Sequence, residues 1–169
     1  MTTSVLLELY RHNTWATLRL IELCQRVDDG RLLDTPLAGA FGTVRQTLQH
    51  LVGAEEGYFW TVTGERRSEP PGERTVPLDE LAERIRRLAD GWQRLAADAT
   101  AAERELVTGD GWRIWGWTPM AQAIRHAESH RTQVLSMLGA QGIEVPELSV
   151  WDYAEATDQM HPLAPSPGS

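Results

Sequence analysis

Apolar residues recur at steps of three and four along most of the chain. Val5, Leu9, Asn13, Ala16, Leu20, Leu23 and Val27 mark the inner stripe of a first amphipathic helix over about residues 3 to 27. Asp28, Asp29 and Gly30 stop it, and a loop through Pro36, Gly39 and Gly42 leads to Thr43, a good N-cap. From there Val44, Leu48, Leu51, Glu55, Tyr58 and Val62 predict a second helix that Gly64 ends. The segment GERRSEPPGERTVP, residues 64 to 77, holds two glycines, three prolines and six charges, too little apolar surface to order itself, and reads as an exposed connection. Leu78, Leu81, Ile85, Leu88, Trp92, Leu95 and Ala99 then alternate three and four without a break, the seam of a third helix.

After Thr100 the pattern loosens. GDGWRIWGW, residues 109 to 117, has turn glycines and a brief strand-like alternation, and predicts a loop or small hairpin. Thr118 as cap and Pro119 as first helical residue open a fourth helix that runs to about Leu138, before Gly139 and Gly142. Pro146 to Thr157 predict a short extra helix, and the Pro/Ser/Gly-rich end a disordered tail. Four long helices, each with one apolar stripe, can bury those stripes only against one another. The expected fold is all-α, a four-helix bundle with a short additional C-terminal helix, formed by residues 1–158 as one domain with 159–169 as tail.

Composition narrows the class. With 169 residues the chain can bury one core without staples, and its single cysteine, Cys24, excludes internal disulfides and thiolate zinc sites. Cys24 falls on the inward side of the first helix and reads as a small hydrophobe. A net charge of −8 argues against nucleic acid and anionic lipid surfaces as partners. No apolar run approaches a membrane span, and Glu8 interrupts the apolar stretch near the start, so a soluble, cytoplasmic protein without membrane partners is expected. All 16 cationic residues are arginine, which excludes Schiff-base lysine chemistry.

Five histidines remain, and three of them share a geometry. His126 and His130 are four residues apart on the fourth helix and lie one above the other on one face. At about 100° per residue that pair sits roughly 60 to 100° from the centre of the stripe formed by Met120, Ala123, Ala127, Val134 and Leu138. His50 is roughly 130° off the stripe of the second helix, level with Thr47 and Ala54. All three occupy rims of the core, and a groove between the rims can hold three imidazoles around one metal with positions left open. That is the arrangement of a catalytic rather than a structural metal site. Two surface histidines at this spacing also arise by chance, so the pattern alone leaves both readings standing. HAESH is not a zinc-protease motif, because Glu128 lies two places after His126, about 200° around the helix. Di-iron Glu-x-x-His pairs, phosphate-binding glycine loops, Gly-x-Ser-x-Gly and dinucleotide fingerprints are absent. His12 reads as a surface residue and His161 as part of the tail.

The residues also resemble a known family. RHNTWA at 11 to 16, TVRQTLQHLVGAEEGYFW at 43 to 60 and HAESHRTQVLSMLGAQG at 126 to 142, followed by a proline and a late Trp-Asp-Tyr, are similar in order and spacing to the DinB-like superfamily. These are metal-binding four-helix bundles that include bacterial thiol-dependent S-transferases and the mycothiol-dependent maleylpyruvate isomerase. The resemblance implies a metal triad of His50, His126 and His130 holding Zn, Ni or Fe, and a homodimer. It also implies a low-molecular-weight thiol such as mycothiol or bacillithiol as co-substrate. Arg131 matches the arginine that follows the last ligand, while Thr132 stands where a glycine is usual.

Around the triad, Asn13, Glu55, Trp117 and Arg131 are candidate pocket residues. Asn13 on an inward stripe is either a core hydrogen-bonding residue or a substrate contact. Glu55 either pairs with Arg19 or Arg131 or stands beside the metal as acid or base. Trp112, Trp115 and Trp117 either wall the open side of the site or pin their loop to the bundle. Two functions compete: a metal-dependent thiol S-transferase or hydrolase acting on a small-molecule substrate, and a non-catalytic ligand-binding or stress-response bundle with a structural or vestigial metal site.

Overall fold

The computed structural model describes residues 4–27, 29–37, 42–65 and 75–162. Four long helices carry the fold: α1 (Val5–Gln25), α2 (Val44–Thr63), α3 (Leu78–Ala97) and α4 (Trp117–Ala140). A short α5 (Val150–Ala156) follows, and a two-stranded hairpin, β1 (Glu105–Val107) and β2 (Arg113–Trp115), precedes α4. A 3-10 turn, Gly30–Asp34, lies between α1 and α2 and tucks Leu33 into the core. No helix among the described residues is long and apolar enough to cross a membrane. Gly39, residues 66 to 74 of the charged connection and residues 163 to 169 of the tail lie outside the described residues.

Packing pairs α2 chiefly with α4 and α1 with α3, while α1 with α4 and α2 with α3 complete the ring. Helices consecutive in sequence, α1 and α2 or α3 and α4, therefore stand diagonally, and α2 and α4 become neighbours. The core has two apolar clusters. The larger gathers Leu20, Ile21, Leu48, Leu51, Ile85 and Leu138. The smaller centres on Trp92, which stacks on Tyr10 at 4.7 Å and meets Phe59 edge-on at 5.2 Å. Between α2 and α3, Arg84 Nε donates to the Glu56 carboxylate at 2.8 Å, with both residues buried.

The helix boundaries show which local signals win. Thr43 caps α2 through a full capping box, its hydroxyl accepting from Gln46 N–H while the Gln46 side chain accepts from Thr43 N–H. Gly64 closes the helix in the left-handed conformation at φ 75°. The expected Thr118 cap is not used. Helix α4 starts at Trp117, because Gly116 N–H donates to Arg104 O and Trp117 N–H to Ala102 O, which satisfies the first amides from outside the helix. A Cβ on Gly116 would come within 2.1 Å of Ala101 O, so only glycine permits that approach. Pro119 still falls in the first turn, where it loses no intrahelical bond.

Helix α1 also differs from expectation. It ends two residues early, and its buried face is Tyr10, Asn13, Ala16, Thr17, Leu20, Ile21 and Cys24, with Val5 73% exposed. Packing against both α3 and α4 turns the helix, so Tyr10, Thr17 and Ile21 go inside in place of Val5, Leu9 and Leu23. The hairpin begins earlier than the glycine-rich stretch suggested, with Leu106 opposite Ile114.

Candidate metal centre

Helix α2 is fixed in register by its capping box, and His50 stands seven residues beyond the cap on the side that faces α4. From α4, His126 and His130 project into the same space. The structure brings the three imidazoles together: His126 Nε2 is 3.1 Å from His50 Nε2 and 3.1 Å from His130 Nε2. One ligand nitrogen from each ring lies within 4.8 Å of the other two. At metal–nitrogen distances of about 2.0–2.1 Å, nitrogens sharing one ion stand about 3 Å apart, so two edges of the triangle already fit.

The hydrogen bonding suits a cation here. His130 Nδ1 lies 3.0 Å from Gln133 Oε1, and the tautomer that donates to this carbonyl oxygen leaves the Nε2 lone pair free. The single proton that His126 Nε2 can offer then faces two rings, whereas one divalent ion serves all three lone pairs. Burial, with His130 and His50 alongside, pushes the His126 pKa down to about 4, and burial with His130 lowers that of His50. Neutral imidazoles are the form a metal takes. The donor set suits Zn, Ni or Fe.

The ligands are half-buried or exposed, and a hollow of about 300 Å³ opens beside them, lined by Gly42, Gln46, Thr47, His50 and His130. Tyr58 covers the other flank, its ring edge-on to His126 at 5.6 Å. Tyr58 and Gln133 both belong to this site and went unnoticed in the sequence. Gln133 lies one turn after His130, a spacing that places the two on one face. Tyr58 was read only as part of a core stripe.

The four candidate pocket residues are not at the triad's mouth. Asn13, Glu55 and Arg131 are 0%, 2% and 4% exposed and bond to one another in the bundle interior. Asn13 Nδ2 donates to Glu55 Oε2 at 3.2 Å, and Arg131 donates to Asn13 Oδ1 at 2.7 Å and to Thr17 Oγ1 at 3.0 Å. Glu55 is thus linked to Arg131 through the Asn13 amide, and Arg19 instead pairs with Glu22. The Trp92 indole N–H approaches the same carboxylate closely enough to favour its charged form, short of hydrogen-bond geometry. Burial nevertheless pushes the Glu55 pKa up to about 7, against the pull of Arg131 and Asn13.

Trp117 goes elsewhere. It is 56% exposed and shares a separate open hollow with Ala102, Glu103 and Trp115. It precedes His126 by nine residues, about 13 Å along the helix and half a turn around it. Trp112 is 69% exposed, so these tryptophans do not wall the histidine site. Cys24 is buried, its thiol pushed up to about 12 by burial, and is inert. His12 is tied to Leu148 O through Nε2 at 2.9 Å.

A family model described as the DinB family matches residues 1–164. No curated protein matches the sequence. Among solved structures, the fold is similar to the crystal structure of a DinB family member protein from Shewanella denitrificans, with a TM-score of 0.59 and 20% sequence identity. The likeness covers 93% of this chain and 96% of that one. At this identity it speaks for the fold alone.

Proposed function

Because the chain belongs to the DinB family, we propose that it is a metal-dependent enzyme in which His50, His126 and His130 hold one divalent transition metal, and that it transfers a low-molecular-weight thiol or hydrolyses a small electrophilic substrate. The observation that carries this reading is the convergence of three Nε2 atoms, two edges at 3.1 Å, beside an open hollow. When bound, the metal supplies a Lewis acid that makes a thiol or a water a better nucleophile near neutral pH.

The protein's own contribution is positioning. Gln133 fixes the tautomer and ring angle of His130, and the edge of Tyr58 keeps water from one flank of His126. The hollow leaves the opposite flank free for a reactant, and its walls are held in place. Gln46 is engaged in the α2 cap, and Thr47 Oγ1 donates to Thr43 O at 2.9 Å. Among the described residues no carboxylate joins the triad, so a proton released by the nucleophile passes to solvent or to the substrate.

The test is turnover by tag-free protein with a thiol and a generic electrophile, and with activated esters or amides for the hydrolytic route. Activity that a chelator removes, that added metal restores and that His126→Ala lacks supports the proposal. A protein that binds metal but turns over neither substrate class favours a ligand-binding role instead. The homodimer is part of the same proposal, and light scattering that detects only monomer contradicts it.

A further inference from the structure

A second hollow, of about 460 Å³, lies between α1, α4 and the segment that enters α5. Its α4 wall, Glu128, Arg131 and Leu135, stands about 140–200° around the helix from His126, so it opens on the side away from the histidines. Arg131 is 4% exposed. Its three hydrogen bonds, to Asn13 O, Asn13 Oδ1 and Thr17 Oγ1, all leave from Nη1. Among the described residues Nε and Nη2 donate to nothing, yet neither is sealed from solvent. These two nitrogens are the side fork of a guanidinium, spaced to receive a carboxylate.

The rest of the wall selects what that carboxylate is attached to. Glu128 from α4, whose charge acts on Arg131 and which also pairs with Arg125 at 3.3 Å on the exposed side, and Glu147 from the C-terminal segment add two carboxylates to the lining. His12 adds no charge, since burial lowers its pKa and its Nε2 is committed to Leu148 O. A simple anion meets the two carboxylates and a simple cation meets the guanidinium, but a molecule carrying both charges close together complements both. Leu135 and Trp151 complete the lining with apolar surface. The volume is that of a small-molecule site.

We propose that this hollow binds an amino-acid-like zwitterion with an apolar side chain. Its carboxylate lies on the free fork of Arg131, its ammonium group faces Glu128 and Glu147, and its side chain packs against Leu135 and Trp151. The site needs no metal and stands independently of the proposed enzymatic activity.

Calorimetric titration of the full-length chain with L-leucine tests it, with isocaproate, which lacks the ammonium group, and isopentylamine, which lacks the carboxylate, as comparison ligands. The expected result is saturable binding with a Kd below about 1 mM, and each comparison ligand weaker by about tenfold or more. Because Arg131 also holds the bundle together, the decisive variants are on exposed positions. Thr132→Trp fills the hollow and abolishes binding, and Glu128→Gln with Glu147→Gln weakens it by about tenfold. No heat of binding up to about 10 mM leucine, equal affinity for all three ligands, or unchanged binding by Thr132→Trp overturns the proposal.

Discussion

Two polar clusters tie α2 to α4, and they are built on opposite principles. In the interior layer, Asn13 sits between Glu55 and Arg131, so an amide donates to a carboxylate and accepts from a guanidinium. Inside the bundle each of these contacts sets a donor against an acceptor, only the outward Nε and Nη2 of Arg131 being left over, and the layer lies between the two apolar clusters of the core. At the rim, His50, His126 and His130 present three similar nitrogens to one point. A single N–H shared among three imidazoles leaves lone pairs over, and a divalent cation, as proposed, would take all three at once. A buried polar group matched to its partner is structure, whereas converging lone pairs in excess of the available protons are a candidate site.

If that contrast is right, damage to the two clusters separates cleanly. The largest effect is expected from Asn13→Leu, which strands Glu55 and Arg131 inside the bundle. Urea unfolding should show a loss of about 3–5 kcal/mol. His126→Ala, by contrast, should leave the metal-free protein as stable as the parent within about 0.5 kcal/mol, because it removes crowding at a half-exposed rim. A comparable loss in both variants would mean that the rim is part of the structural core.

The interior layer should also respond to pH in a direction that the rim does not produce. Burial raises the folded pKa of Glu55 to about 7, from an ordinary value of 4.5. The folded state then holds more protons than the unfolded one in that window. The contribution of Glu55 to stability is therefore fully present below pH 4.5 and lost as pH rises through about 7. Relative to Glu55→Gln, the parent should lose about 2–3 kcal/mol between pH 5 and pH 8. Parallel stability curves for the two proteins would contradict this assignment.

Smaller effects grade the rim itself. Gln133→Leu frees the ring of His130 and should weaken metal binding by about 10–100-fold in a competition titration, with the fold unchanged. Trp117→Ser should alter metal affinity by less than about twofold, since Trp117 lies half a helical turn from His126. A larger effect would return the tryptophan loop to the site.

Much of this could be read from spacing. The 3-4 rhythm located all four long helices, and Thr43 and Gly64 marked the ends of α2 because their signals are local. Helix α1 was harder: its buried face depends on how it packs between α3 and α4, which periodicity alone does not contain. The start of α4 was misread for a related reason, since residues 102 and 104 satisfy its first amides from across a turn. In the site, the rim angles and the family resemblance pointed to the three histidines that converge. The same angular reasoning, applied to Trp117, would have separated it from His126, and its proximity in sequence misled. Glu55 was legible as a buried acid, but its link to Arg131 through Asn13 needed three helices in place.

The central claim is that the rim triad is a metal site. Its most direct measurement is metal uptake by tag-free protein, stripped with chelator and titrated with Zn²⁺ or Ni²⁺, alongside His126→Ala. The expected result is one tightly held ion per chain in the parent, with imidazole nitrogens seen by X-ray absorption, and no stoichiometric uptake by the variant. A parent chain that takes up no ion, or a variant that binds one as tightly, would contradict it.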